Sequence, residues 1–160
     1  MSDLERILAA RIRTELIDIE QVVIRTKYLL GKAEQQNDDD YLDGVALNLH
    51  GFYAGVERIF EEVAREIDGS IPTSADWHRA LLAQMSAEIR DRRPAVISRE
   101  TRTCLDNYRG FRHVVRNIYT FNLDLSRLRD LVIGLPNCYA SLIQDMHNFC
   151  DFLEQIDPHS

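Results

Sequence analysis

The chain has 160 residues, 26 acidic and 19 basic, and a formal net charge of −7. Its 45% hydrophobic and 28% charged residues are those of an ordinary globular protein; collagen-like, low-complexity and largely disordered classes are excluded. Seven Gly and four Pro argue against a turn-rich all-β fold, and the length suits one domain over residues 1–160 that buries a core without staples. Taken as an average, the negative charge discourages a nucleic-acid partner.

No apolar run is long enough to span a membrane, and Met1-Ser-Asp-Leu-Glu-Arg6 lacks the regions of a signal peptide. Cys104, Cys138 and Cys150 are odd in number, widely spaced and without a Cys-x-x-Cys motif, so they read as small buried hydrophobes in a reducing compartment. The expectation is a cytoplasmic protein with no membrane contact. Walker A, Gly-x-Gly-x-x-Gly and Gly-x-Ser-x-Gly motifs are absent, as is any Glu-x-x-His pair, so no cofactor and no metal is expected.

The apolar period is helical almost throughout. Ile12, Leu16, Ile19, Val23 and Leu30 repeat at four and three residues, with Thr26 in one slot, predicting a helix from about Asp3 to Glu34. Gln35 to Asp40 is a polar break. Val45, Leu49, Phe52, Val56, Ile59, Val63 and Ile67 carry a second helix, about Tyr41 to Ile67, with Gly69 as its C-cap. Gly44, Gly51 and Gly55 lie inside it, marking either close approach of another helix or simple drift. A third helix, capped by Thr73 or Ser74, runs to about Glu88, and Ser98 caps a fourth that runs to about Thr120. Leu123 to Ile133 is helical again; Gly134-Leu-Pro136 interrupts it before a last helix from Pro136 to Ile156. No strand is predicted. The fold class is all-α, an up-and-down bundle of four to five helices.

Charge is unevenly spread. Residues 90–129 hold ten Arg and four acids, a charge of +6, while the remaining 120 residues carry −13. Of the 19 basic residues 17 are Arg, the better residue for bidentate phosphate contact. Pairing with acidic neighbours accounts for such a segment equally well. On a helix turning about 100° per residue, Arg109, Arg112, Arg116 and Tyr119 share a sector of roughly 80°, away from Phe111, Val115 and Ile118. Like charges at this spacing repel, and a shared anion or an acidic surface relieves that.

The stretch Tyr108-Arg-Gly-Phe-Arg-His-Val-Val-Arg-Asn-Ile-Tyr119 resembles the active-site helix of HEPN-domain proteins of the HepT-like group, whose signature is Arg, four to six residues, then His, with Tyr two residues further on. Arg112 and Tyr119 occupy the Arg and Tyr positions. Ala46 to Phe60, Asp68-Gly69, Asp76-Trp-His78 and Arg93-Pro-Ala-Val-Ile97 resemble further landmarks of that group, so the likeness covers about residues 41–125. It implies a HEPN-like bundle, a homodimer with paired motif helices, metal-independent endoribonuclease chemistry and a toxin–antitoxin setting. It also implies a minimal nucleotidyltransferase antitoxin (MntA-like) that silences the nuclease by adding AMP to Tyr119.

One position departs from the pattern: five residues after Arg112 stands Asn117 instead of His. An amide neither takes nor gives a proton near neutral pH. Three readings stay open. His113 serves as the base, with Arg112 on the phosphate, Asn117 on the ribose and Arg109 and Arg116 holding RNA. Or the protein binds RNA with little cleavage. Or it is a non-catalytic helical module that docks the nucleotidyltransferase. In a straight helix Arg112 and Asn117 point about 140° apart, so they share one site only if the helix is distorted or a dimer mate completes the cleft. His78 reads as a core, interface or cleft residue and His50 as a core or dimer residue. Trp77 reads as a core anchor, and Glu57 and Arg58 as partners of the motif or a solvated face.

Overall fold

A computed structural model of the chain describes residues 2–38, 40–117 and 125–155. It contains α1 (Ser2–Gln36), α2 (Asp40–Val63), α3 (Trp77–Met85), α4 (Arg99–Asn117) and α5 (Leu125–Glu154); α2 runs on through one π-helical turn, Ala64–Asp68. Among the described residues there is no strand, only an isolated bridge between Ile89 and Arg93. The all-α expectation holds.

α1 forms because Ile12, Leu16, Ile19, Val23, Thr26 and Leu30 fall on one stripe, and all are buried. Each apolar side chain among them contributes roughly 1.5–3 kcal/mol by leaving water, while Thr26 satisfies its hydroxyl on the Val22 carbonyl at 2.7 Å. Asn37, at φ 50°, ends the helix in the polar break. α2 returns antiparallel: Arg58 reaches Glu15 at 2.9 Å and Arg11 reaches Glu62 at 3.6 Å. A Cβ on Gly55 would stand 3.0 Å from Ile19 Cγ1, and one on Gly44 would stand 3.1 Å from Leu29 Cδ1. Those two glycines let α1 and α2 approach. Gly51 has nothing within 4 Å, so only two of the three serve that purpose. Gly69 caps the π turn in the left-handed region at φ 72°.

α3 starts at Trp77 after Asp76, and no side chain caps it, so Thr73 and Ser74 do not play the expected role. It stops at Met85 because Val96 and Ile97 both donate to the Met85 carbonyl, at 2.8 and 3.2 Å, tying the loop ahead of α4 to its end. Ser98 caps α4 as predicted: its Oγ accepts from the Thr101 amide at 3.2 Å. Asp145 of α5 accepts from the Ser98 amide at 2.8 Å, placing a carboxylate where the helix dipole favours one.

α5 corrects the prediction of two helices broken at Gly134-Leu-Pro136. It is continuous, with Pro136 inside. The ring removes the N–H that would bond the Val132 carbonyl. The buried series Leu128, Val132, Leu135, Cys138 and Leu142 nevertheless holds both halves on one face, and the Tyr108 hydroxyl donates to the Leu131 carbonyl at 2.6 Å beside the gap.

α5 lies antiparallel to α1, through Arg13 with Asp151 and Glu154 at one end and Arg129 with Glu34 at the other. It lies antiparallel to α4 through Asp145, the Cys104–Cys138 disulfide and Tyr108. This disulfide corrects the cysteine reading. Cys104 and Cys138 are partners, and only Cys150 is a buried free thiol, so the cysteines no longer argue for a reducing compartment. α4 closes the ring against α2, the Tyr108 and Phe52 rings meeting edge to face at 5.2 Å. α1, α2, α4 and α5 thus form an up-and-down frame, and α3 lies on the flank where α2 and α4 meet. No helix among the described residues is long and apolar enough to cross a membrane.

Candidate functional site

α4 is positioned from both sides. Thr101, Leu105, Tyr108 and Phe111 are buried, and the disulfide fixes the helix to α5 nearly two turns past its N-cap. Arg109 stands outside this face, its side chain 16% exposed, with Nε 2.7 Å from Asp106 Oδ1. Arg112, His113, Arg116 and Asn117 occupy the last turns of α4, and their side chains lie outside the described residues. Tyr119 lies outside the described residues altogether.

Much of the basic segment serves the fold. The Arg93 guanidinium is fully buried and clamps Asp68 at 2.6 and 2.9 Å. It also donates to the carbonyls of Gln84, Ala87 and Pro94. Arg92 donates to the carbonyls of Ile67 and Asp68, where the turn after α2 leaves acceptors open. Arg127 lies 5.8 Å over the Phe111 ring, and Arg129 pairs with Glu34 at 2.8 Å. Pairing with acidic neighbours thus holds for Arg93 and Arg129, while Arg92 and Arg127 serve the fold through backbone carbonyls and an aromatic ring.

A second polar centre lies on the α2–α3 side. Glu57 Oε2 is 2.7 Å from His78 Nδ1, with the carboxylate side chain 5% exposed and the imidazole 25%. Trp77 stacks on the same ring at 3.6 Å between centroids. Both Glu57 and His78 engage further groups besides one another. Glu57 is therefore not on a solvated face, whereas Arg58 is exposed and pairs with Glu15. Trp77 is a partly buried lid on the core edge and on His78, not a central anchor. Nothing in the sequence joins Glu57 to His78; they stand 21 positions apart on different helices.

α3 covers one flank of α4. Arg102 Nη1 reaches Ser86 Oγ, just past the end of α3, at 3.1 Å. Arg102, Arg109 and position 116 follow one another at seven residues, a line that drifts only about 20° per step. The flank of α4 that α3 covers is thus the flank that carries Arg109. A groove of about 420 Å³ between α4 and α5, lined by Asn107, Tyr108, Arg127 and Asp130, lies on another side of α4. Among the described residues no group of three or more His, Cys, Asp or Glu side chains is arranged to hold a metal ion.

A four-helix antiparallel frame, with α4 anchored to α5 by a disulfide, places the chain in the class of all-α bundle proteins. Within that class the family model for HepT-like proteins matches residues 44–153, from the first turns of α2 to the end of α5. The match covers more than half of the chain, which therefore belongs to that family and is a HepT-like HEPN-domain protein. No curated protein and no solved structure matches it.

Proposed function

We propose that this chain, acting as a single domain over residues 1–160, is the toxin-side component of a HepT-like toxin–antitoxin pair and a metal-independent endoribonuclease. The observation that carries the proposal is the family match running the whole length of α4, the helix that bears the motif positions. In this reading Arg112 steadies the phosphate as charge grows in the transition state. Arg109 and Arg116 hold neighbouring phosphates, and Asn117 orients the ribose. His113 takes part in proton transfer. The chain works in the cytoplasm as a homodimer with paired α4 helices. A nucleotidyltransferase partner silences it by attaching AMP to Tyr119.

The test is RNA cleavage by the purified protein in EDTA, with Arg112→Ala and His113→Ala beside it. Cleavage to a 2′,3′-cyclic phosphate, lost with Arg112→Ala, is the expected result; negligible cleavage by all three overturns it. Co-expression with the neighbouring nucleotidyltransferase, followed by mass spectrometry, is expected to show a single AMP on Tyr119.

Asn at position 117 favours a second reading, a non-catalytic module that docks the same partner. It predicts co-purification with the nucleotidyltransferase and no cleavage by the free protein.

A further inference from the structure

α1 carries two stripes. One is the buried series of Ile12, Leu16, Ile19 and Val23. The other faces away from the bundle. Ile7, Thr14, Gln21 and Tyr28 repeat at seven residues, and Ala10, Ile17, Ile24 and Gly31 repeat three residues later, so together they take the a and d places of successive heptads. Ile7, Ile17, Ile24 and Tyr28 are each between 52% and 61% exposed, and they are four of the eight large hydrophobic side chains left exposed among the described residues. Scattered single apolar residues are ordinary on a surface, but half of them on one line of one helix mark a face that a partner covers.

A groove at one end of this stripe says which partner. Ile7, Ala10, Arg11 and Thr14 have the spacing of the four residues that frame a hole in knobs-into-holes packing, and they wall a groove of about 620 Å³ against α2. The other end of the stripe presents a knob. Tyr28 stands between Arg25 and Lys32, whose charges lie 6.0 and 5.6 Å from its ring centre. A contact between two copies about a two-fold axis uses one patch twice, so knob and hole both have to be on the chain, as they are here. With the two α1 helices antiparallel and Tyr28 of one copy over Ala10 of the other, Ile7 falls on Gly31, Ile24 on Thr14 and Ile17 on Gln21. The largest side chains thus meet the smallest at both ends.

The charges agree with this pairing. Arg25 and Lys32 continue the row of Arg11, which faces α2, and in an antiparallel pair that row meets its own copy. They are carried to the α2 rim of the groove, where Glu61 and Glu62 stand and where Arg11 and Arg58 already have carboxylate partners. Lys27 continues the row of Arg13, which faces α5. It is carried to the cluster in which two carboxylates, Asp151 and Glu154, share the one Arg13 guanidinium. Asp18 and Glu20 approach their own copies at the axis, in the open, where such repulsion is small.

We infer that the outer face of α1 is a self-association surface, on which two copies of this chain pair antiparallel with Tyr28 of each in the α1–α2 groove of the other. α1 and α4 each pack on α2 and α5, so they stand diagonally across the frame. Pairing through α1 is therefore separate from any pairing of the α4 helices, and it does not depend on the endoribonuclease reading.

The experiment is sedimentation equilibrium of the full chain beside the variant Ile17→Glu with Ile24→Glu, with thermal melts of both. The double variant is expected to show half the wild-type mass. That halving is from four chains to two if α4 pairing also forms, and from two to one if it does not. Tyr28→Ala is expected to weaken the association about tenfold. Ala10→Cys and Tyr28→Cys, each alone and then mixed under a mild oxidant, report the register. A cross-linked dimer is expected from the mixture and from neither alone. If the double variant does not fold, Tyr28→Ala and the cross-linking carry the test. A folded double variant with the wild-type mass overturns the inference, and so does a monomeric wild type. Cross-linking of Tyr28→Cys to itself, which marks a parallel pair, overturns it as well. Loss of a co-expressed nucleotidyltransferase from the double variant at unchanged self-association overturns it too and gives the face to that protein.

Discussion

At the scale of single residues, burial decides what a charge contributes. Arg93 and Asp68 are both hidden, and every direction around the guanidinium is occupied by an acceptor. Removing one partner leaves the other as a buried uncompensated charge. Arg93→Ala is therefore expected to cost about 3–5 kcal/mol in urea unfolding. Arg129→Ala, which breaks the half-exposed pair with Glu34, is expected to cost at most about 1 kcal/mol. Burial also moves protons. It pushes the Cys150 thiol up from 9.0 to about 11, with Arg13 opposing, and the Tyr139 phenol up from 10.0 to about 12, with the Glu20 charge adding. Burial raises Tyr108 as well. The folded state thus keeps these protons to higher pH than the unfolded chain does. The stability they lend is complete below about pH 9 and is lost as pH rises through about 11 to 12. Melting temperature is expected to fall across that interval, and Cys150→Ala to flatten the first part of the fall relative to its own value at pH 8.

At the scale of elements, the glycines of α2 separate two effects that one residue type carries. At Gly51 a methyl group meets nothing within 4 Å, so Gly51→Ala only gains helix propensity and is expected to stabilise by up to about 1 kcal/mol. At Gly55 the same methyl stands 3.0 Å from Ile19 Cγ1 on the facing helix. There α1 has to shift, and Gly55→Ala is expected to destabilise; paired thermal melts of the two variants check the difference in sign. Heptad spacing made α1 and α2 legible before any coordinates, because a buried stripe leaves the same mark in the sequence whatever it packs against. It could not say which glycine faced a partner, since that depends on the register between two helices. It also misread α5. Gly134 and Pro136 are local breaking signals, but five buried side chains and the Tyr108 hydroxyl outweigh one missing backbone hydrogen bond. The Cys104–Cys138 pair and the Glu57–His78 pair were hidden for a related reason. Each joins two helices, at separations of 34 and 21 residues, for which no local spacing rule exists. The motif on α4 was legible because it is local, a pattern within one helix.

At the scale of the whole molecule, the net charge of −7 and the +6 segment within it carry different weight once the pairs are known. Arg92 and Arg93 close the end of α2, Arg102 holds α3, and Arg127 and Arg129 lie on Phe111 and Glu34. Five of the segment's ten arginines are thus engaged by the fold, while Arg90 and Arg99 stand exposed. In the proposed reading Arg109 exchanges its 2.7 Å pair with Asp106 for a phosphate, and positions 112 and 116 supply the other two contacts. This makes a quantitative demand on RNA binding. Each phosphate neutralised releases counterions, and for a single strand the slope of log K against log salt is about −0.7 per contact. Three arginine contacts predict a slope of about −2, measured by anisotropy with a 2′-O-methyl RNA that cannot be cleaved. Arg109→Ala is expected to reduce the slope by about 0.7 and leave that of the Arg129→Ala protein unaltered from wild type. A slope several times steeper would mean that the paired arginines open to RNA, and that the fold's own ion pairs are exchanged for phosphate when RNA binds.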